Sequence, residues 1–290
     1  MWRATILSSM ACNWSVRKRS GPIQHQFLDD PEGWIRCHFS RNWCGIGHYP
    51  LAERANDPQA SGAVFGCGYA ALGAMRADLP VERFPALTAL ELVLHGFTLR
   101  VAGLDVRTDR ETALQGLDSY HENLRREFVP RQARLAEQVH GNAVAVVSIG
   151  SPSKSPGVDA IVTRDRNVYL GIYVADCCAV FLVDPRQRAV GLVHSGKRGT
   201  SLNIVGQTVR RMSEEFGTDP GDATAQLSPC IRPPHYEVDF AAEIVEQLKR
   251  SGVRRVFDCG ENTGSDLKRF YSYRMEKGRT GRMLALLALQ

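Results

Sequence analysis

The sequence predicts an α+β fold, a compact layered α/β sandwich with mixed sheets that forms a single domain. The chain has 290 residues, of which 43% are hydrophobic and 23% are charged, so it is long and apolar enough to bury a sizeable core. Segments with the composition of β-strands outnumber the helical segments and are interspersed with them. This mixture is typical of helices packed on mixed sheets.

Six segments are predicted to be strands because they are apolar, rich in β-forming residues and followed by turn-forming residues. They are residues 90–101, 143–149, 160–162, 168–174, 179–183 and 189–194. The apolar ending, residues 283–289, is expected to be buried.

Three segments are predicted to be helical because their apolar residues recur on one face. They are residues 110–128, 202–216 and 239–250. Asp239 is expected to cap the last helix, and Ser251 and Gly252 are expected to end it.

The first 74 residues differ from the rest, because they are rich in Trp, Gly, Pro and Cys and show neither a helical nor a strand period. We expect residues 1–80 to form an extension and residues 81–290 to form the ordered domain. The extension is either a disordered tail or a product of too early a start codon, with Met75 as the true first residue. The second interpretation is favoured.

The eight cysteines do not form a disulfide scaffold in a chain of this length, and the adjacent Cys177 and Cys178 cannot readily bridge each other. Free thiols favour a reducing compartment and hence a cytoplasmic protein. A zinc knuckle in the extension is disfavoured because its candidate ligands lack a C-x-x-C pair. These ligands are Cys37, His38, Cys44 and His48.

The net charge of +5 is mildly positive and is not concentrated in a basic stripe, and aromatic residues make up only 8% of the chain. A nucleic-acid partner is therefore disfavoured, whereas a small anion such as phosphate accounts for the bias. No apolar run approaches the roughly 20 residues of a membrane span. We expect a protein without a membrane partner, and its oligomeric state stays open.

Three residues that can bind a metal lie at the ends of predicted strands, where turn-forming residues follow them. His140 precedes Gly141, Cys177 follows Asp176, and His194 precedes Ser195 and Gly196. Two imidazoles and one thiolate suit zinc, and three protein ligands leave one coordination position open. Their spacing matches no local motif, so the residues alone leave open whether each histidine is a ligand or a structural residue.

Eight short motifs follow one another in a fixed order, and together they resemble one known family. They are QVHG (138–141), VDAIVT (158–163), ADC (175–177), VHSGKRGT (193–200), SPCI (228–231), YEV (236–238), FYSYR (270–274) and GRTGRM (278–283). The family was first described as multicopper polyphenol oxidoreductases, or laccase-domain proteins. Its members are now described as purine nucleoside phosphorylases with adenosine deaminase activity and, in bacteria, also as peptidoglycan editing factors.

The resemblance, which covers residues 93–289, implies a compact layered α/β structure and a zinc ion at His140, Cys177 and His194. It also implies phosphorolysis of adenosine, inosine, guanosine or methylthioadenosine to the base and ribose 1-phosphate, with adenosine deamination as a second activity. The expected partners are therefore a purine nucleoside and phosphate.

The chain departs from the family pattern at three positions. The family usually has His-Ala-Gly-Trp-Arg-Gly, whereas Ser195 and Lys197 stand here in place of the Ala and the Trp. His235 stands where the family tends to have a cysteine. Loss of the Trp removes an aromatic wall and Lys197 adds a cation, so the departures bear on the substrate more than on the metal.

Five further residues are candidates for the chemistry. Arg198 and Lys197 are predicted to bind phosphate or an oxyanion, and Arg100, which matches a family arginine, is a second anion contact. Asp176 is expected to orient a ligand or accept a proton, and Cys230 to line the pocket. The alternative roles are solvated surface charges for the basic residues, a turn for Asp176 and apolar filling for Cys230.

Three other functions stay open. A zinc hydrolase could edit amino-sugar precursors of peptidoglycan with the same ligands. A copper-dependent polyphenol oxidase is disfavoured because the chain lacks clustered His-x-His pairs and zinc is redox-inert. A structural zinc would need a fourth protein ligand, for which Cys230 and His235 are the candidates.

Overall fold

A computed structural model describes residues 80–290 of the chain and, before them, residues 38–39 and 42–43. The chain divides into two units, residues 1–67 and 68–290. The described residues of the first unit are two short antiparallel strands, β1 (His38–Phe39) and β2 (Asn42–Trp43). The alternative start at Met75 and most of the knuckle lie outside the described residues, and the domain boundary near residue 80 stays a prediction.

The second unit contains twelve described strands and five described helices. The strands are β3 (Val81–Glu82), β4 (Val93–Thr98), β5 (Gln132–Ala136), β6 (Val144–Val146), β7 (Lys154–Ser155), β8 (Ala160–Thr163), β9 (Val168–Val174), β10 (Cys178–Asp184), β11 (Ala189–Ser195), β12 (Thr224–Leu227), β13 (Arg255–Asp258) and β14 (Met283–Leu289). The helices are α1 (Pro85–Thr88), α2 (Arg110–Arg126), α3 (Lys197–Ser201), α4 (Ile204–Phe216) and α5 (Phe240–Arg250).

The strands form two six-stranded mixed sheets. The first sheet has the order β3-β4-β14-β9-β5-β7, in which β9, β5 and β7 run parallel and the remaining neighbours are antiparallel. The second sheet has the order β13-β12-β10-β11-β8-β6, with parallel pairs at its two edges. The predicted α+β fold with mixed sheets is confirmed.

The two sheets pack face to face and helices cover their outer faces. Phe97 of β4 and Phe181 of β10 are fully buried between the sheets, in one continuous core. Helix α2 packs Leu124 against Leu284 and Leu286 on the outer face of the first sheet. Helices α4 and α5 cover the second sheet, so the layers are helix, sheet, sheet and helices, and the predicted layered sandwich is confirmed.

Capping side chains and backbone conformation set the helix ends. The Asp109 carboxylate caps α2 by accepting from the amides of Glu111 and Thr112, both at 3.0 Å. Asp239 caps α5, as predicted. Helix α4 starts two residues later than predicted because Asn203 takes the left-handed conformation, with φ 55°, and separates α4 from α3.

The chain passes between the sheets four times at one end of the sandwich. The crossings are β5 to β6, β7 to β8, β9 to β10 and β13 to β14. Strands β5, β7 and β9 are parallel and β14 runs opposite to them, so all four crossings meet at the same end. This end is where polar residues from distant parts of the sequence come together.

Within the described residues, no helix is both long and apolar enough to span a membrane.

Candidate active site

Two of the four crossings and the end of β11 bring His140, Cys177 and His194 together. Their ligand atoms all lie within 4.8 Å of one another, and we call these three residues the ligand group. The two imidazole rings meet edge to face, with centroids 4.8 Å apart. In the β10–β11 ladder Cys178 pairs with Ser195 and Ala179 with His194, so the hairpin places Cys177 beside His194.

Asp159, on the β7–β8 crossing, holds two members of the ligand group in place. Its fully buried carboxylate accepts from the backbone amides of Val139, His140 and Gly141 at 2.7–3.1 Å. It also lies 2.8 Å from Nδ1 of His194. A proton on Nδ1 leaves Nε2 of His194 as the metal-binding nitrogen, which is the usual arrangement behind a metal-bound histidine.

The charges of the ligand group support one another. Burial alone would raise the pKa of the Cys177 thiol, but His194 and His140 together lower it to about 6. Burial alone would lower the pKa of His194, but the Cys177 thiolate and Asp159 raise it to about 9. Burial likewise opposes ionisation of Asp159, and its hydrogen bonds from His194 and from the amides lower its pKa. The thiolate, the form that binds metals, is therefore favoured near neutral pH.

Gly196 is required by the packing of the ligand group. A Cβ atom at this position would lie 2.5 Å from Sγ of Cys177, well inside van der Waals contact. The glycine therefore lets the chain after His194 pass directly against the thiol. We call the five residues His140, Asp159, Cys177, His194 and Gly196 the floor.

The donor set fits a metal ion. Two imidazole nitrogens and one thiolate are borderline-soft ligands, and three protein ligands leave a position for an exchangeable group. Among residues 80–290, no further His, Cys or carboxylate joins this group. Cys230 is fully buried elsewhere and Nδ1 of His235 lies 3.1 Å from the amide of Asn262, so neither completes a closed structural site.

A cavity of about 910 Å³ opens above the ligand group. Its lining includes six basic residues but one carboxylate, that of Asp176. The basic residues are Arg110, Lys197, Arg198, Arg274, Lys277 and Arg282. The cavity is therefore strongly positive and suited to an anionic ligand.

Lys197 and Arg198, both predicted to bind an anion, line the cavity at the start of α3. Nζ of Lys197 donates to Glu237 at 3.2 Å, and the same carboxylate pairs with Arg274. The Arg198 side chain is exposed, and its guanidinium has no ion pair or hydrogen bond to any described residue. Arg198 is therefore the freer of the two cations.

Asp176 lines the cavity, but its carboxylate is already engaged. Oδ1 accepts from the hydroxyl of Thr263 at 2.7 Å, and Oδ2 accepts from the amide of Arg274 at 2.6 Å. Its φ of 80° lies in the left-handed region, which costs a non-glycine residue energy. The two hydrogen bonds hold this conformation and fix the turn that presents Cys177.

The structure does not bring Arg100 or Cys230 into the cavity. Arg100 pairs with Glu276, donates to the carbonyl of Phe270 at 3.0 Å and lies 4.5 Å over the ring of Tyr271. Cys230 packs in the core beneath α4 and α5. Both residues support the segments that carry the site rather than facing a ligand.

Sequence reasoning missed Asp159 and Arg282. Asp159 stands in the VDAIVT motif, directly before an apolar strand. The only available signal was that an acidic residue enters a buried segment. Arg282 stands in GRTGRM, directly before the buried strand β14. In both cases the signal was a charge at the edge of an apolar run, which needs a partner or a ligand.

The fold and the floor define a class of proteins, layered α+β domains in which three residues that could bind a metal ion lie together at the end of two packed sheets. The chain belongs to the family described as multi-copper polyphenol oxidoreductase laccase, which matches residues 102–245 and 238–290. The resemblance seen in the motifs is thereby confirmed.

Named relatives and solved structures agree with this assignment. A Deinococcus radiodurans protein named purine nucleoside phosphorylase is 32% identical over 248 residues, covering 73% of this chain and 93% of the relative. Purine nucleoside phosphorylase YlmD of Bacillus subtilis is 28% identical over 195 residues, covering 54% of this chain and 70% of the relative.

The crystal structure of YlmD from Geobacillus stearothermophilus superposes with a TM-score of 0.62 at 22% identity, covering 92% of this chain and all of that one. The Neisseria meningitidis protein NMB0706 superposes with a TM-score of 0.60 at 22% identity, covering 73% of this chain and 99% of that one. At these identities the likeness supports the fold.

Proposed function

We propose that this protein is a zinc-dependent purine nucleoside phosphorylase. One observation carries the proposal: an open His-Cys-His group faces a cavity lined by six basic residues and one engaged carboxylate. Relatives that bear the name purine nucleoside phosphorylase support the choice of substrate. Adenosine, inosine, guanosine and methylthioadenosine are the proposed substrates.

His140, Cys177 and His194 would hold the zinc, through two imidazole nitrogens and one thiolate. When bound, zinc supplies a Lewis acid at the floor of the cavity. Asp159 keeps the His194 ring in the orientation that this requires.

Arg198 and Lys197 bind the attacking phosphate in this proposal. Arg198 offers a guanidinium that has no partner among the described residues, and Lys197 is held nearby by Glu237. A phosphate oxygen forms a bond to C1′ of the ribose as the bond from C1′ to N9 of the purine breaks. The electron pair of that bond leaves with the base, and the proton lost by hydrogen phosphate ends on the purine nitrogen.

Aromatic side chains in the lining provide the surface for a purine ring. Tyr173, Tyr236, Phe240 and Tyr273 all face the cavity. Stacking on such rings is worth about 1–3 kcal/mol per base and tolerates different bases. Aromatic residues therefore line the cavity although the family Trp is replaced by Lys197.

Asp176 acts as a positioning residue in this proposal. Both of its carboxylate oxygens already accept hydrogen bonds, from Thr263 and Arg274. These contacts suit orientation of Cys177 and of the Arg274 turn better than proton transfer. Arg100 and Cys230 have no assigned role in the reaction because they lie outside the cavity.

The test is chromatography of zinc-loaded protein incubated with adenosine or inosine, with and without inorganic phosphate. Free base and ribose 1-phosphate that form only with phosphate would support the proposal. Inosine formed from adenosine without phosphate would establish deamination instead. No change in any proposed nucleoside would overturn the assignment, and amino-sugar precursors would be tried next.

Arg198→Gln tests the proposed phosphate contact in the same assay. Removing one charge-assisted hydrogen bond is expected to raise the KM for phosphate about tenfold or more. Arg210→Gln is the matched control, because Arg210 lies on the exposed side of α4 and pairs with Glu214 away from the cavity. Equal KM values for the two variants would remove Arg198 from the mechanism.

A further inference from the structure

Arg282 is a half-buried cation whose contacts are incomplete. Its Nη1 donates to the carbonyls of Thr280 and Gly281, both at 2.8 Å, and its guanidinium carbon lies 5.7 Å from the ring centroid of Tyr273. Nε and Nη2 have no partner among residues 80–290, and no carboxylate of that range pairs with the side chain. The guanidinium is thus anchored by one nitrogen, and the residue lines the cavity.

Three other enclosed arginines in the same unit each engage at least two of their guanidinium nitrogens. Arg100 pairs with Glu276 and Arg232 with Asp258. Arg134 has no carboxylate partner, but all three of its guanidinium nitrogens donate hydrogen bonds. Arg282 differs from these because only one of its guanidinium nitrogens donates to a described residue, and no carboxylate of residues 80–290 forms an ion pair with it.

A second cation, Arg110 at the start of α2, increases the imbalance. It lines the same cavity and has no ion pair or hydrogen bond to a described side chain. Burial and the charge of Arg110 both lower the pKa of Arg282, and the charges of Tyr273, Cys177 and Asp176 act in the opposite direction. Two unpaired like charges beside one cavity are stabilised when an anion lies between them.

Arg110 and Arg282 lie on different elements from Lys197 and Arg198. Arg110 and Arg282 come from α2 and from the start of β14, which belong to the side of the first sheet. Lys197 and Arg198 follow β11 of the second sheet. The cavity therefore receives positive charge from both halves of the sandwich.

We propose that Arg282 and Arg110 form a second anion site that binds a phosphoryl group. The inference deepens the proposed function and rests on it for the choice of a phosphoryl group over other anions. The group has two chemical sources, inorganic phosphate or a phosphate carried by the purine compound itself. In the second case the preferred substrate class is nucleoside monophosphates.

The experiment measures equilibrium binding by calorimetry to zinc-loaded full-length protein, with inorganic phosphate, adenosine and adenosine monophosphate as separate probes. Arg282→Gln is expected to weaken binding of at least one phosphoryl-containing probe about tenfold or more and to leave adenosine within about twofold. Weaker binding of inorganic phosphate would identify the free anion as the occupant. Loss of a preference for adenosine monophosphate over adenosine, with phosphate unchanged, would identify a nucleotide.

Two variants control for indirect effects. Arg279→Gln removes an exposed charge three residues away that does not line the cavity, and it should bind every probe as the parent does. Arg282→Lys keeps the charge and should recover part of the lost affinity, which a damaged fold would not allow. Arg110→Gln should have a smaller effect than Arg282→Gln because Arg110 is more exposed.

Binding and turnover separate the two proposals. If Arg282→Gln keeps its zinc and changes neither phosphoryl-containing probe more than about twofold, the second anion site is overturned even if phosphorolysis proceeds. If the parent protein binds these probes through Arg282 but releases no base from any nucleoside, the anion site stands and the proposed reaction falls.

Discussion

Asp159 on the floor and Arg198 on the wall of the same cavity are both charged, but their surroundings are opposite. Asp159 is fully buried and has four donors from the chain, whereas the guanidinium of Arg198 has no partner among the described residues. Arg110, in the lining of the same cavity, resembles Arg198 in this respect, and Arg282 has no carboxylate partner among residues 80–290 although its Nη1 donates to two carbonyls. The chain itself supplies the hydrogen-bond partners of the floor. The cations of the cavity lining, Arg110, Arg198 and Arg282, are available to a ligand, and we call these three residues the wall.

The comparison predicts that changes in the floor act on the metal, whereas changes in the wall act on substrate. Cys177→Ala should give the largest effect, because it removes the thiolate from a group of three ligands. We expect zinc affinity to fall by more than the roughly 100-fold that loss of an outer-sphere partner costs, and turnover to be lost with the metal. Zinc content after dialysis against a weak chelator measures this.

Cys178→Ala is the matched control for that variant. Cys178 is the next thiol along the chain, but it is buried between the second sheet and helices α4 and α5, where its Sγ lies 3.7 Å from the carbonyl of Ser228. The Cys178→Ala variant should retain zinc as the parent protein does. Equal retention by Cys177→Ala would contradict the assigned ligand group.

Asp159→Asn should have the next largest effect. An amide in place of the carboxylate turns one acceptor into a donor that faces backbone N–H groups, so His140 and His194 lose their fixed positions. Zinc affinity should fall about 10–100-fold, as for other partners of metal-bound histidines. Competition with a chromogenic chelator measures the affinity.

Asp165→Asn provides the comparison for Asp159. Its carboxylate also accepts backbone amides, from Ile149 at 2.8 Å and from Asn167 at 2.9 Å, but it does not line the cavity. Its zinc affinity should be that of the parent. A similar loss in both variants would indicate general destabilisation rather than positioning by Asp159.

Gly196→Ala should lower zinc affinity less than Asp159→Asn does. The new methyl group would meet Sγ of Cys177 at 2.5 Å, so the thiol or the chain must shift. Overpacking of this kind costs about 1–3 kcal/mol, and we expect it to appear as weaker zinc binding. Gly116→Ala is the control, because a Cβ there meets nothing within 4 Å and a helical alanine stabilises α2.

The smallest expected effect is on the pH dependence of stability, and it comes from two buried histidines outside the floor. Both are kept neutral in the folded protein. Burial, with nearby Arg83 or Arg125, lowers the pKa of His95 and of His121 from 6.5 to about 4. The unfolded chain therefore binds protons that the folded chain does not as pH falls from 6.5 to 4. The free energy of unfolding should decrease over that range, by about 1 kcal/mol per histidine between pH 7 and pH 5.5.

Urea unfolding of His95→Gln at the two pH values checks this expectation. Glutamine can still accept from the amide of Phe84, which now donates to Nε2 of His95 at 2.8 Å. The difference in unfolding free energy between pH 7 and pH 5.5 should shrink relative to the parent, since the ligand group contributes equally to both proteins. An unchanged difference would show that His95 does not titrate in this way.

Much of the framework could be predicted because its apolar runs are continuous. The predicted strand at residues 168–174 and the buried ending at residues 283–289 coincide with β9 and β14. The strand predicted from residue 90 begins at Val93 instead, because Glu91 takes a φ of 49° in the turn after α1. Such a turn depends on tertiary packing rather than on the local pattern.

The site was less accessible to sequence reasoning. Spacing alone left the roles of His140 and His194 open, since contacts between crossings are set by sheet order rather than by distance along the chain. Arg100 was expected at the anion site, but its partner Glu276 lies 176 residues away and could not be foreseen. Arg282 was missed for the converse reason, because the lack of a carboxylate partner among residues 80–290 is recognised only when the neighbours of the side chain in that range are known.

The position of the ligand group at the crossings has a consequence for the whole sandwich. His140 and Cys177 lie on segments that join the first sheet to the second, and His194 lies on the second sheet itself. A metal bound by all three ties these segments together much as a covalent cross-link would. Because only the folded chain presents the three ligands together, binding adds to stability in proportion to the logarithm of the free metal concentration. The free energy of unfolding would then rise with the supply of that metal, independently of any substrate.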